Sequence, residues 1–243
     1  MTLVHRARTE CVSVAVSIFV NPTQFGPHED FSTYPRDMES DLSKLRRAGV
    51  DLVFAPSVDE MYPPGSETRV DVGPLADKLE GKFRPGHLTG VATVVCKLLT
   101  SVRPDRAYFG QKDAQQCLVI KRMTADLNLG AEIVVVPTVR DADGLALSSR
   151  NAYLGPEERK AALSLYRSLC LARSLWENGV NDAAEVRRQM SAIIENEPLA
   201  RIDYVSVSDS ETLEELGLIE RAALVSLAVH IGKTRLIDNI VLG

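Results

Sequence analysis

The chain has 243 residues, and its 28 basic and 33 acidic side chains give a formal net charge of −5 at pH 7. Apolar residues make up 45% of it, which is enough for a sizeable core and excludes a disordered protein. The net negative charge argues against a protein that binds nucleic acid mainly by neutralising phosphates, although it allows a local basic site for a small anion.

The cysteines and the apolar runs indicate the cellular compartment in which the protein occurs. Cys11, Cys96, Cys117 and Cys170 are scattered without a C-x-x-C pair, which is typical of a reducing environment. The longest apolar run, residues 12–20, is too short to span a bilayer and does not resemble a leader peptide. The sequence therefore predicts a cytoplasmic protein with no membrane partner.

The first part of the chain alternates short β-branched runs with segments whose apolar residues recur every three or four positions. In chain order the predicted elements are a strand at 11–20, a helix at 36–48, a strand at 51–55, a helix at 88–102, a strand at 106–109, a helix at 113–127 and a strand at 131–136. This alternation predicts an α/β fold with a doubly wound parallel sheet, in which ligands bind at the carboxyl ends of the strands.

The pattern changes near Pro137. A turn-rich stretch leads to two predicted helices, from Pro156 to about Gly179 and over residues 182–195, and then to strands at 202–207, 222–229 and 236–242. We predict two domains, residues 1–138 and residues 139–243, the second of the α+β type.

Two loops of the first domain carry candidate binding groups. Gln24 lies in an Asn-Pro loop after the first strand, where its amide could bind a small substrate, or the loop could be only a turn. Residues 80–87 form a Gly/Pro-rich loop with Lys82, Arg84 and His87 just before a helix. Such a loop can bind an anion at the helix N-terminus, and it can equally be a solvated basic loop.

The segment FGQKD, residues 109–113, follows a strand and opens a helix. Backbone N–H groups after Gly110 and the Lys112 ammonium could converge on phosphate oxygens. Alternatively, Asp113 is only an N-cap and Lys112 only a surface charge.

The segment DGLALSSRN, residues 143–151, places two hydroxyl groups and a guanidinium in series. Ser148 and Ser149 could donate hydrogen bonds to phosphate oxygens while Arg150 neutralises their charge. The structural alternative is a serine N-cap beside a solvent-facing arginine.

Two other chemistries lack support. His5, His28 and His230 have no partners at metal-ligand spacing, so a zinc site is not predicted. The chain contains no G-x-S-x-G motif, and Ser148 is therefore not a candidate nucleophile.

Five motifs, taken in order over nearly the whole chain, resemble the pantothenate synthetase family. They are VSIFVNPTQF at 16–25, YPR at 34–36, EGKFRPGH at 80–87, FGQKD at 109–113 with Gln116, and DGLALSSRN at 143–151. The tripeptide IDN at 237–239 also resembles the terminal strand of that family.

The resemblance implies an ATP-dependent ligase that condenses pantoate with β-alanine to pantothenate, a coenzyme A precursor, through a pantoyl adenylate, releasing AMP and pyrophosphate. It implies a Rossmann-like nucleotidylyltransferase domain over residues 1–138 and a smaller α+β lid domain over residues 139–243. It also implies a cytoplasmic homodimer that uses Mg²⁺, whose protein ligands the sequence does not indicate.

The same resemblance assigns residues. Pantoate would be held by Gln24 and Gln116, with Tyr34 and Arg84 lining the same cavity. The residues implied for ATP are Gly110, Gln111, Lys112, Asp113, Val139, Leu147, Ser148, Ser149 and Arg150. Of these, Lys112, Ser148, Ser149 and Arg150 would carry catalysis by stabilising charge on the phosphates.

Three departures from the family pattern stand out. Gln111 replaces a common Glu, Thr23 replaces a common Met, and the His-x-Gly-His motif that binds ATP phosphates does not occur in the sequence. Because the chain from Met1 onward resembles the residues immediately after that motif, we expect the first domain to be N-terminally incomplete. The expected missing piece is a strand, a loop and a helix start of roughly 30 to 40 residues, which would expose the apolar edge of the strand at 12–20.

Two alternatives to ligase activity stay open. The chain could be a truncated, catalytically impaired relative that acts as a binding protein, or another adenylyltransferase of the same fold. The presence of both Gln24 and Gln116 argues against the second of these.

Overall fold

A computed structural model describes residues 1–27 and 29–243, so that His28, one of the histidines considered above, lies outside the described residues. The chain divides into two units. The first comprises Met1–Gly110 and Gln115–Val136, and the second comprises Gln111–Ala114 and Pro137–Gly243. The domain boundary after residue 138 stays a prediction.

The first unit is built from helices and parallel strands. Its elements are α1 (Thr2–Glu10), β1 (Ala15–Ser17), α2 (Met38–Arg47), β2 (Leu52–Phe54), α3 (Val58–Met61), α4 (Pro74–Asp77), α5 (Glu80–Phe83), α6 (His87–Val102), β3 (Arg106–Gly110), α7 (Ala114–Asp126) and β4 (Glu132–Val136). β1 pairs with β2 and β3 with β4, each in parallel. In the described part of the chain, these strands form two separate two-stranded sheets. The predicted α/β class is confirmed.

β1 is shorter than the predicted strand at residues 11–20. Only Ala15–Ser17 form a ladder with β2, and Val12 is 96% exposed although the apolar run predicted a buried strand. The Val14 N–H donates to the Asp51 carboxylate at 2.8 Å instead of to a neighbouring strand. A local apolar run predicts burial only where a partner strand pairs with it, and this pairing covers three residues.

The core of the first unit centres on α6 and α7. Along α6, Leu88, Val91, Val95 and Leu99 are buried, and they belong to the same apolar cluster as Val119, Ile120 and Met123 of α7. α6 ends at Val102, and Arg103 follows it in a left-handed conformation directly before Pro104. Pro104 lacks the N–H that a further helical turn would need.

The second unit packs two helices on an antiparallel sheet. Its elements are α8 (Pro156–Glu177), α9 (Ala183–Glu195), β5 (Ala200–Asp209), β6 (Ala223–Ile231) and β7 (Thr234–Leu242). The strand order is β5–β6–β7. Leu165 and Leu169 of α8 and Met190 of α9 lie in one buried cluster with alternate side chains of β6. Throughout the described residues, helices are either too short or too polar to cross a membrane.

Candidate active-site regions

The loop after β1 is fixed by Asn21, which is 2% exposed. Its Nδ2 donates to the Gly90 carbonyl at 3.1 Å and to Gln24 Oε1 at 3.2 Å. Its Oδ1 accepts hydrogen bonds from the Tyr62 and Thr23 hydroxyls, each at 2.9 Å. Asn21 thereby orients the side chain of Gln24. Sequence reasoning selected Gln24 and missed Asn21, although an asparagine directly after a strand was a usable signal.

Gly90 of α6 allows this loop to approach the helix closely. A Cβ placed on Gly90 would lie 2.7 Å from the carbonyl carbon of Thr23 and 2.9 Å from the backbone nitrogen of Gln24. These contacts are with backbone atoms and cannot be relieved by a side-chain rotation. A residue larger than glycine therefore pushes the Gln24 loop away from α6.

We expect Gly90→Ala to lower the free energy of unfolding by about 1–3 kcal/mol, despite the better helix propensity of alanine. Urea unfolding measures the effect. Gly217→Ala is the matched control, since Gly217 has open space around its Cα and no positive φ. Equal stability of Gly90→Ala and the wild type would contradict the close approach.

Arg84 joins the basic loop to the segment around residue 29. Its Nε and Nη2 donate to the two carboxylate oxygens of Glu29, both at 2.6 Å, and its Nη1 lies 2.9 Å from His87 Nε2. Burial opposes ionisation of Glu29, but the hydrogen bonds and charge of Arg84 bring the pKa of this carboxyl below its ordinary value. The guanidinium predicted to line a substrate cavity is thus largely engaged within the protein.

His87 continues this network to the Gln24 loop. An arginine can only donate, so His87 Nε2 accepts from Arg84 and Nδ1 donates to the Gln24 carbonyl at 2.8 Å. Burial, followed by the positive charge of Arg84, holds the pKa of His87 below its ordinary value. The neutral imidazole with its proton on Nδ1 is the form that supports both hydrogen bonds.

We expect the protein to lose stability as the pH falls below about 6.5, the ordinary pKa of histidine. Below this pH the unfolded chain takes up a proton at His87 and the folded chain does not. The contribution of His87 to the free energy of unfolding is therefore fully present above about pH 6.5 and is lost as the pH falls below it. Glu29, Glu80 and Arg84 are the charged groups that act on this imidazole. Melting temperatures measured between pH 7.5 and 5.5 give the slope of stability against pH, and His87→Asn should make this slope smaller.

His230→Asn is the control for this experiment, because burial also lowers the pKa of His230. Each substitution should remove its own share of the slope. A His87→Asn variant with the slope of the wild type would rule out His87 as a source of the acid sensitivity.

Adjacent glutamines at the start of α7 have different surroundings. Gln116, the predicted substrate ligand, is partly exposed, whereas Gln115 is 5% exposed. Gln115 Nε2 donates to the carbonyls of Leu75 and Lys78, and its Oε1 accepts from the Glu80 N–H at 3.0 Å. Gln115 therefore fixes the start of the loop that carries Arg84, a role that sequence reasoning did not assign.

Tyr34 lies beside the Gln24 loop. Its ring packs edge-on against Phe25, with the ring centroids 5.8 Å apart, and Phe25 packs in the same way against Phe31 at 5.3 Å. The predicted residues Gln24, Tyr34 and Arg84 therefore lie in one connected region of the first unit. Gly110, predicted to contact ATP, is the last residue of β3 in the same unit.

In the second unit, Lys112 and Ser148 line one small cavity. Asn151 and Asp238 add polar groups to its wall, and its apolar lining comes from Leu145, Ala146, Leu165, Leu236 and Ile237. The Lys112 ammonium lies 3.4 Å from the Asp113 carboxylate. The structure thus brings together two of the predicted phosphate-binding side chains from segments 36 positions apart in sequence (148 − 112).

Ser148 also caps the short 3₁₀ helix Ser149–Tyr153, its Oγ accepting from the Arg150 N–H at 3.2 Å. Ser149 is exposed and Arg150 partly exposed, and both make further interactions. Val139 and Leu147 are joined by a backbone hydrogen bond of 2.9 Å and are both exposed. Capping and ligand binding are compatible here, because a hydroxyl that accepts one hydrogen bond can still donate another.

A buried ion pair supports the cavity wall. Arg140 donates to both carboxylate oxygens of Asp238, at 2.5 and 2.9 Å, and to the Gly144 carbonyl at 3.1 Å. Its guanidinium lies 4.3 Å from the centre of the Tyr166 ring. The side chains of Arg140 and Asp238 are 17% and 1% exposed. No sequence pattern indicated this pair, whose members are 98 positions apart.

Leaving His28 aside, no three His, Cys, Asp or Glu side chains lie together in a way that could hold a metal ion. Mg²⁺ is commonly bound by one or two carboxylates together with substrate phosphates. A magnesium ion delivered with ATP therefore needs no metal cluster built by the protein alone.

Parallel strands joined by helices, a separate antiparallel sheet and a small cavity lined by Lys112 and Ser148 define an α/β protein with a candidate anion site. Residues 1–241 match the sequence profile of the family described as pantoate-beta-alanine ligase. The chain belongs to this family.

Curated relatives and solved structures agree with this assignment. The chain is 60% identical over 242 residues to the pantothenate synthetase of Roseiflexus sp. (strain RS-1), covering 100% of this chain and 87% of that protein. It is also similar to the crystal structure of pantothenate synthetase from Thermus thermophilus, with a TM-score of 0.95 and 51% identity over 98% of this chain and 86% of that one.

A third similar structure is pantoate-beta-alanine ligase from Francisella tularensis, complexed with beta-gamma ATP and beta-alanine. Its TM-score is 0.78 and its identity 36%, over 98% of this chain and 83% of that one. Neither alternative activity, the non-catalytic binding protein or another adenylyltransferase, finds support in these comparisons.

Proposed function

We propose that this protein is an ATP-dependent ligase that condenses pantoate with β-alanine to form pantothenate. The observation that carries the proposal is the match of essentially the whole chain to curated pantothenate synthetases at about 60% identity. The Francisella relative, complexed with beta-gamma ATP and beta-alanine, supports two of the three substrates.

In the first step, a carboxylate oxygen of pantoate attacks the α-phosphorus of ATP. A new P–O bond forms, the bond to the β-phosphate oxygen breaks, and pyrophosphate leaves with pantoyl adenylate as the other product. Two anions must approach each other, so fixed cations and hydrogen-bond donors make the largest contribution to the rate. We assign this role to Lys112, Ser148, Ser149 and Arg150, and assign Gly110, Gln111, Asp113, Val139 and Leu147 to ATP binding.

The assignment is supported in the second unit by the common cavity of Lys112 and Ser148, since both can donate to phosphate oxygens. The ammonium of Lys112 carries the positive charge, and the Ser148 hydroxyl still has its proton to donate. A site of this kind stabilises the charge that develops on the phosphoryl oxygens and on the leaving pyrophosphate.

We assign pantoate binding to Gln24, Gln116, Tyr34 and Arg84. The amide of Gln24 is held by Asn21 at 3.2 Å and its backbone carbonyl by His87 at 2.8 Å, so the side chain is oriented before a ligand arrives. Arg84 is engaged with Glu29, and we therefore propose that it shapes the loop as well as lining the substrate site.

In the second step, the neutral amine of β-alanine attacks the acyl carbon of pantoyl adenylate. The C–N bond forms, the bond from the acyl carbon to the phosphate oxygen breaks, AMP leaves and the nitrogen releases a proton. This sequence needs no covalent bond to the enzyme, in keeping with a chain that offers no activated nucleophile by sequence.

Three further properties belong to the proposal. We propose that ATP is bound as its magnesium complex, with the metal on the phosphates. We also propose that the enzyme is a homodimer and that it acts in the cytoplasm, as the free cysteines suggest.

The test follows AMP and pyrophosphate from ATP in the presence of pantoate labelled with ¹⁸O in its carboxylate. Because the attacking oxygen stays on phosphorus when the acyl bond breaks, one ¹⁸O atom should appear in the AMP. AMP release should depend on both pantoate and β-alanine. A folded protein that binds ATP but forms no AMP, or forms AMP without the label, would contradict the proposed reaction.

A further inference from the structure

Asn239 of β7 is buried next to the turn that carries Lys112, and its side chain is hydrogen-bonded to that turn. It is 3% exposed. Its Nδ2 donates to the Gln111 carbonyl at 3.0 Å and to the Lys112 carbonyl at 2.8 Å, and its Oδ1 accepts from Gln111 Nε2 at 3.4 Å.

The two carbonyls are consecutive and belong to the 3₁₀ turn Gln111–Asp113. Two adjacent acceptors are matched by a primary amide, because its NH₂ group provides two donors from one nitrogen. Both hydrogens of Asn239 Nδ2 are used in this way. The amide therefore fixes the two peptide units on either side of the Cα of Lys112, a residue that lines the cavity.

Asn239 is itself held in place. Its backbone N–H donates to Asp238 Oδ1 at 2.8 Å, and its carbonyl accepts from Arg140 at 3.4 Å. In the sheet it pairs with Ser226 of the central strand β6. The amide thus projects from a position that the sheet pairing and two further hydrogen bonds hold in place, which is what a positioning group requires.

We propose that Asn239 is a positioning residue of the nucleotide site, which sets the direction of the Lys112 ammonium through these two carbonyls. The inference rests on the proposed function, because it takes Lys112 to bind the phosphates of ATP. Asn239 itself contacts no substrate in this scheme and acts only through the turn.

Asn239→Asp tests the proposal, because it preserves size and shape while replacing the two donors with a carboxylate that faces two carbonyl oxygens. We expect the dissociation constant for ATP to rise, and kcat/KM for ATP to fall, by about 10-fold to 100-fold, the cost of misplacing a catalytic group by about 1 Å. KM for β-alanine should stay within about twofold.

The matched control is Ser226→Ala. Ser226 is buried, pairs with Asn239 across the sheet, and its Oγ has no hydrogen-bond partner among the described residues. We expect this variant to bind ATP as the wild type does. An equal loss of ATP affinity in Ser226→Ala would show a general packing effect and overturn the proposal.

A double-substitution cycle with Lys112→Ala separates positioning from folding. If Asn239 acts through Lys112, Asn239→Asp should weaken ATP binding less than threefold when Lys112 is already alanine. An undiminished effect in that background overturns the inference and leaves the proposed function intact. Unchanged ATP affinity and AMP formation in Lys112→Ala alone would instead overturn the role of Lys112 on which the inference rests. If Asn239→Asp does not fold, Asn239→Ala enters the same cycle, since it removes both donors without adding a charge.

Discussion

Replacing Lys112 with alanine should reduce the rate of pantothenate formation by about 10²-fold or more. The substitution removes a positive charge from the cavity that Lys112 and Ser148 both line. Neighbouring hydrogen-bond donors are only dipoles, and a dipole does not compensate for the loss of a full charge. The effect should appear in kcat/KM for ATP and in the first step, because pyrophosphate, the leaving group whose developing charge Lys112 is proposed to stabilise, departs in that step.

Single-turnover formation of pyrophosphate measures this first step directly. Lys121→Ala is the matched control, since Lys121 lies on the exposed side of α7 and should leave the rate unchanged. A Lys112→Ala enzyme within threefold of the wild-type rate would contradict the assignment of Lys112 to the phosphates.

Asp238→Ala should lower the free energy of unfolding by about 3–5 kcal/mol, because it leaves the mostly buried Arg140 guanidinium without its counter-charge. The same substitution removes the acceptor of the Asn239 N–H, at 2.8 Å. Arg140 would keep the Gly144 carbonyl and the face of the Tyr166 ring, and neither of these neutralises it.

Urea unfolding of the single and double variants checks this result. The combined change Arg140→Met with Asp238→Leu should recover much of the lost stability, since removing both charges leaves neither one buried alone. Asp126→Ala is the comparison at the surface, because its ion pair with Arg122 is exposed on α7 and should contribute little. A loss no larger in Asp238→Ala than in Asp126→Ala would contradict the importance of the buried pair.

The predicted elements mostly correspond to observed ones because their sequence signals are local. The helix predicted at 88–102 is His87–Val102, and the strand predicted at 131–136 is Glu132–Val136. Apolar spacing and a following Gly or Pro determine such segments without reference to the rest of the chain. The strand predicted at 11–20 failed over most of its length, because pairing with β2 covers only three residues and pairing is not a local property.

The candidate site divides in the same way. Residues such as Gln24, Lys112 and Ser148 could be selected from the sequence because each occurs in a short motif after a strand or before a helix. Asn21 carried a local signal, its place directly after a strand, but Gln115 and Asn239 could not be selected, because they act on backbone groups that are distant in sequence. Asn239, for example, donates to the carbonyls of Gln111 and Lys112, which lie 128 and 127 positions earlier in the chain.

The sequence by itself thus determined the α/β class, the family and the motifs that carry the chemistry, since periodicity and short motifs are encoded by neighbouring residues. The tertiary structure decided which groups are available for that chemistry. It engages Arg84 with Glu29, fixes the tautomer of His87 and anchors the Lys112 turn on β7. The physical reason is that a hydrogen bond or an ion pair depends on distances of about 3 Å, which only the folded chain defines.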